Sequence, residues 1–124
     1  METEPQPAPP ARAIIDPVNT VAWFAMDALW LCKLSWPAYI AAGVTVLTGV
    51  LLLAAGRNSG RGLVYENLGL NCWIVMNTAW MVHDLNGVDT PWWIAAVFGG
   101  LGGVFVLLAL RHSKHLRRLR IFRR

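Results

Sequence analysis

The sequence predicts an all-α integral membrane protein whose four transmembrane helices are built as a tandem, parallel duplication of a two-helix unit. Three observations lead there: charge-free runs long enough to cross hydrocarbon, a phrase that the chain writes twice, and a one-sided distribution of arginine and lysine. Of 124 residues, 56% are hydrophobic and only 15% charged, which is too apolar for an ordinary soluble domain and enough chain for one domain.

The opening METEPQPAPP is acidic and proline-rich, unlike the basic start of a secretory signal, so residues 1–15 are expected to form a disordered leader. Asp16 followed by Pro17 reads as a helix N-cap with proline at the first helical position, where a missing N–H is harmless. Residues 18–36 then carry only Asp27 and Lys33, and residues 37–56 carry no charge at all. Each run approaches the roughly 20 residues that a helix needs to span a bilayer. GRNSGRG at 56–62 is a polar turn; residues 63–82 follow with Glu66 alone, HDLNGVDTP at 83–91 turns again, and 91–110 is charge-free. The first unit is thus 16–57, its two helices joined almost directly at Lys33–Pro37, and the second is 63–110, with a basic tail at 111–124.

WFAMDALW at 23–30 returns as WIVMNTAW at 73–80. At an offset of fifty Trp23, Met26 and Trp30 meet Trp73, Met76 and Trp80, while Asp16 meets Glu66, Asp27 meets Asn77 and Lys33 meets His83. From Pro37 the offset becomes fifty-four, where residues 37–55 match 91–109 at nine of nineteen positions and Arg57 falls on Arg111. Four extra residues in the third loop would account for the change. Because each unit has two helices, the second enters the membrane in the same direction as the first, and a pseudo-two-fold axis along the membrane normal is expected.

Orientation follows from the basic residues. Arg12, Arg57, Arg61 and the seven of the tail fall on one side and Lys33 alone on the other, so the positive-inside rule puts both termini in the cytoplasm. Richness in tryptophan, alanine and arginine points to a bacterial inner membrane. In the tail, Leu116, Leu119 and Phe122 recur among Arg111, Lys114, Arg117, Arg118, Arg120, Arg123 and Arg124, a pattern suited to a helix on an anionic leaflet. The positive charge therefore reports topology and lipid headgroups rather than nucleic acid.

The candidate chemistry lies in the first and third helices. Trp23, Asp27 and Trp30 share one helical face, as do Trp73, Asn77 and Trp80. Asp27 stands roughly 13 Å from either end of its expected span, and a bare carboxylate there would cost about 2.5–3.5 kcal/mol on insertion scales. It must be protonated, paired or wet. Asp27, Asn77, Trp23, Trp30, Trp73, Trp80 and Glu66 form the candidate proton, cation or ligand site at the membrane midplane, tryptophan faces being suited to an organic cation. Equally, Asp27 and Asn77 could hydrogen-bond across the axis as helix glue. Ala41, Thr45 and Gly49 in the second helix, and Ala95, Gly99 and Gly103 in the fourth, form small-residue stripes suited to close packing between the halves or between protomers.

In size, four crossings and one membrane acid with aromatic neighbours, the design is similar to the small multidrug transporters, and Asp27 followed by Lys33 and Ser35 resembles their first helix. The duplication and the WxxMNxxW third helix depart from that family, so the likeness is one of design. Cys32 and Cys72 fall at different depths and form no CxxC pair, His112 and His115 lack a carboxylate, and no phosphate loop or nucleophile motif is visible. These features argue against an enzyme, and no cofactor is implied. Two functions remain: a small secondary carrier or channel, working as a homo-oligomer, or an accessory subunit that assembles with a larger membrane complex.

Overall fold

The computed structural model describes residues 10–112, which form four helices: α1 (Pro10–Leu31), α2 (Ser35–Gly56), α3 (Arg61–Leu85) and α4 (Trp92–His112). Residues 1–9 of the leader and the tail cations Lys114, Arg117, Arg118, Arg120, Arg123 and Arg124 lie outside the described residues.

α1 starts six residues before Asp16, which is therefore not its N-cap; Pro17 sits inside the helix. The described helix runs unbroken from Pro10 through Asp16 and Pro17. The other end of α1 also comes earlier than expected. Lys33 adopts a left-handed φ of 57° and donates its N–H to the Trp30 carbonyl at 2.8 Å, while the Leu34 N–H reaches Leu29 at 3.0 Å. This is the Schellman pattern, in which two orphan carbonyls are satisfied and the helix stops. α3 closes identically: Gly87, at φ 68°, donates to Asp84 at 3.1 Å and Val88 donates to His83 at 2.9 Å.

Trp30 and Trp80 are fifty apart but the positive-φ caps Lys33 and Gly87 are fifty-four apart, so α3 runs four residues, about one helical turn, further past its tryptophan than α1 does, and Asp84 lies in that stretch.

α2 is the centre of the bundle. It packs on α1 and on α3, and α4 packs on α3. A two-fold carrying α1 onto α3 would pair α4 with α1 as α2 pairs with α3, and among the described residues no contact of comparable extent forms there. Nor do α2 and α4 share the seam expected of their small residues. Instead, side-chain amides bind α2 from both sides. Asn19 of α1 donates to the Thr45 carbonyl at 3.0 Å and the Thr48 hydroxyl at 2.7 Å; Asn67 and Asn71 of α3 donate to the Leu52 and Gly49 carbonyls, each at 3.1 Å. Met26, Ala38, Ala42 and Met81 form the apolar core where α1, α2 and α3 meet.

The stripes separate by environment. Thr45 and Gly49 are buried, and a Cβ on Gly49 would stand 2.9 Å from Ile74 Cδ1 and 3.1 Å from Asn71 Oδ1. In α4 the closest approach is made by Gly102, whose Cβ would meet Cys72 at 3.2 Å, whereas Ala95, Gly99 and Gly103 are exposed and a Cβ on Gly103 meets nothing within 4 Å. Ala95–Gly99 is a π-helical turn, which rotates the following residues and brings Gly102 rather than Gly103 onto α3.

α2 and α4 are long and apolar enough to cross a membrane. α4 is the outermost element, with no buried residue from Gly100 to His112.

Gly49→Leu should lower stability by about 1–3 kcal/mol, the usual cost of overpacking a close contact, and Gly102→Leu should do likewise, whereas Gly103→Leu should leave the monomer's melting temperature unchanged. Thermal unfolding in detergent, followed by circular dichroism, checks the ranking.

Candidate functional site

α1 and α3 meet along a short ladder of side chains. At its inner rung the buried Asn77 donates through Nδ2 to Asp27 Oδ1 at 3.1 Å. One turn on, Trp30 and Trp80 pack edge to face with centroids 5.3 Å apart and planes at 76°, a favoured arrangement because a ring's positive edge meets the other's negative face. At the outer rung the Trp30 indole N–H donates to Asp84 Oδ2 at 2.6 Å, and the Lys33 ammonium meets the same oxygen at 2.5 Å. Asp27, Trp30, Leu31, Lys33, Asn77, Trp80 and Asp84 line one cleft of about 470 Å³. A larger groove of about 630 Å³, between α1 and α2, is bordered by Pro17, Val21, Ala25, Ile40 and Val44 and has no group able to hold a charge.

Helix spacing explains the order of the rungs. Asp27, Trp30 and the Lys33 cap follow one face of α1, and Asn77, Trp80 and Asp84 follow one face of α3 at intervals of three and four. From Asn77 to Asp84 the rise is about 10 Å, so the cleft runs from an amide–carboxylate pair to an ion pair between aromatic walls.

The early stop of α1 moves Asp27 away from mid-span. Only four residues, about 6 Å of rise, separate it from the helix end at Leu31. It is half-buried beside an outer rung whose Lys33 and Asp84 side chains are 64% and 38% exposed, so water has a short route to it.

Not every expected residue joins the cleft. Trp23 packs against the apolar core, its indole N–H buried without a partner among the described residues. Trp73 is 46% exposed one turn from Asn77 and lines no part of the cleft. Glu66 is exposed near the other end of α3, about 16 Å along the axis from Asn77. Cys32 and Cys72 are free thiols. Asp84 and Lys33 are the residues that sequence reasoning left out of the site. Asp84 lies in the last turn of α3, beyond the span expected to end at residue 82, and its partners in α1 and its cap are visible only in three dimensions.

The Lys33 ammonium, with help from the Trp30 indole N–H, holds the Asp84 carboxyl below the ordinary carboxylate range. A depressed acid contributes stability above its unfolded pKa and loses it as pH falls through the folded value. The outer rung should therefore persist at neutral pH and open only below about pH 4, the unperturbed Asp value. Tryptophan emission should change over that acid range in the parent, and Asp84→Asn should abolish the transition; an identical titration in both would separate Trp30 from Asp84.

No protein-family model, curated protein or solved structure matches this chain.

Proposed function

We propose that this chain is a multi-pass membrane protein acting as a small secondary carrier or channel, with Asp27 as its proton or cation site. The observation that carries the reading is the charge of the cleft: two carboxylates, Asp27 and Asp84, against one ammonium, Lys33. With all three ionised, one negative charge is left uncompensated between aromatic walls. A proton or a monovalent cation neutralises it.

Several features support a bilayer setting. Apolar side chains cover the outside of the bundle, among them Ile40, Leu47, Leu101 and Leu107. Trp30, Trp36, Trp92 and Trp93 stand within two residues of helix ends on the Lys33 side, while Arg12, Arg57, Arg61 and Arg111 gather at the opposite end. Aromatics at one boundary and arginines at the other suit the two interfaces of a membrane, the arginine end facing the cytoplasm and its anionic headgroups. The repeated WxxM(D/N)xxW phrase and the matched caps of α1 and α3 support descent from a duplicated hairpin, the added turn having broken the symmetry of packing. Such a small bundle would act as a homo-oligomer, because four helices enclose little space.

A second reading has its own support. Ala95 and Gly103 are exposed on α4, and a Cβ on Gly103 would meet nothing within 4 Å, while one on Gly99 would stand 3.6 Å from Met76 Sδ; the exposed small residues offer a surface on which another helix could pack closely. An accessory subunit of a larger membrane complex would use it, with Asp27 and Asn77 serving only as glue. Mixed-tag co-purification separates the two readings, since a carrier recovers itself and an accessory subunit recovers a larger partner.

A cytoplasm-active reporter should work when fused at residue 124 or within 57–61 and should be silent at Gly87; the reverse pattern would invert the topology. In vesicles carrying an inside-negative potential and an internal pH dye, the parent should admit protons faster than empty vesicles. Asp27→Asn, which keeps shape and one oxygen, should return the rate to that of empty vesicles. Parental flux in Asp27→Asn, together with an unfolded Asp27→Leu, would leave Asp27 a structural role.

A further inference from the structure

We infer that the outer half of the cleft is a binding site for a small organic ammonium ion, and that Lys33 is its tethered occupant, which an external amine displaces from Asp84. The inference rests on reading the α1–α3 cleft as the working site and names its ligand class.

The first support is that an ammonium is already bound there. The Lys33 Nζ lies 2.5 Å from Asp84 Oδ2, on the oxygen that also accepts the Trp30 indole N–H at 2.6 Å. Lys33 supplies this ion from an unusual place. Its backbone is held in the left-handed cap of α1 by the Schellman bonds, a position better suited to glycine, so the main chain is anchored while the four-carbon stem swings. An ion pair exposed as this one is, 64% at Lys33 and 38% at Asp84, is weak and exchanges easily. The contact can therefore occupy Asp84 and still yield to another cation.

The lining selects among replacement cations. Two carboxylates and one amide are too few oxygens for a hard divalent ion, which takes six or more. Two indoles instead favour a cation with an apolar body: Trp30 and Trp80 meet edge to face at 5.3 Å, and Trp80 is 55% exposed, leaving indole surface open to a ligand. The volume, about 470 Å³, falls in the range of small-molecule sites. Charge balance completes the case. With both carboxylates ionised the cleft carries one net negative charge while Lys33 is in place and two once it swings out, so an incoming amine finds more attraction at the moment the tether leaves.

Benzylamine, protonated at neutral pH, is a suitable probe, with benzyl alcohol as its uncharged counterpart, titrated calorimetrically into the full chain in detergent. Lys33→Gly removes the competing ammonium while relieving the positive φ, and should bind benzylamine at least about tenfold more tightly than the parent, a factor worth about 1.4 kcal/mol. Lys33→Asn, which also tolerates that backbone, should show the same gain. Adding Asp84→Asn to Lys33→Gly should erase it, and benzyl alcohol should bind all variants alike and weakly. Folded Lys33→Gly and Lys33→Asn proteins that bind benzylamine no better than the parent would overturn the inference, as would equal binding of benzyl alcohol. If that failure accompanied proton flux that Asp27→Asn abolishes, the carrier reading would stand without this ligand. The expected binding pattern in a protein whose flux ignores Asp27→Asn would support the site and remove the carrier.

Discussion

Amide side chains clasping the carbonyls of a neighbouring helix hold this bundle in register. Asn19 reaches the Thr45 carbonyl of α2, and Asn71 and Asn67 reach those of Gly49 and Leu52. In a helix interior these oxygens already accept one backbone bond and offer a second lone pair, so the amide is satisfied without unwinding anything. An amide buried without such a partner would be costly. Everything downstream depends on this constraint, because α1 and α3 come to face one another only by being pinned to the same helix.

From that geometry the cleft follows. With α1 and α3 set against α2, Met26 and Met81 fill the centre, and the next faces round bring Asp27 to Asn77 and Trp30 to Trp80. The acid-to-amide change between the two phrases then has a physical meaning. Two carboxylates at this distance would repel and one would be forced to keep its proton, whereas the amide donates a hydrogen bond and leaves a single titratable group. The last turn of α3 extends the same face by one rung and sets Asp84 beside Lys33. Opposed charges thus accumulate at one end of an otherwise apolar contact.

The glycines divide along similar lines. Gly49 and Gly102 are small because another helix is there, Gly87 because the α3 cap needs a positive φ, and Gly103 has open space around it. Lys33 fills the cap position corresponding to Gly87, at some conformational cost. A residue kept in a strained place is a reason to look at what its side chain does, and this one reaches Asp84.

Much of the helical architecture was legible in the sequence: four helices, the turn at 56–62, and the common face of Asp27 and Trp30 all follow from apolar runs, punctuation and the period of 3.6. The hydrogen bond between Asp27 and Asn77 was one of the two outcomes which that spacing allowed. Helix ends were less legible. Pro17 looked like a start because proline is common at first positions, yet the helix already runs through residues 10–16 before it. Lys33 gave no sign of a cap, since lysine rarely takes a left-handed φ, and the early stop it imposes moved Asp27 to within about 6 Å of the end of α1. Which small residues touch another helix was decided by tertiary structure alone, because a π turn of five residues shifts the facing of α4 and substitutes Gly102 for Gly103. The pairing of Asp84 with Lys33 and Trp30 belongs there too: residues more than fifty positions apart become neighbours only once three asparagines have fixed how α1 and α3 lie against α2. Periodicity along a chain reports which side chains share a face; which faces meet depends on contacts that no single helix contains.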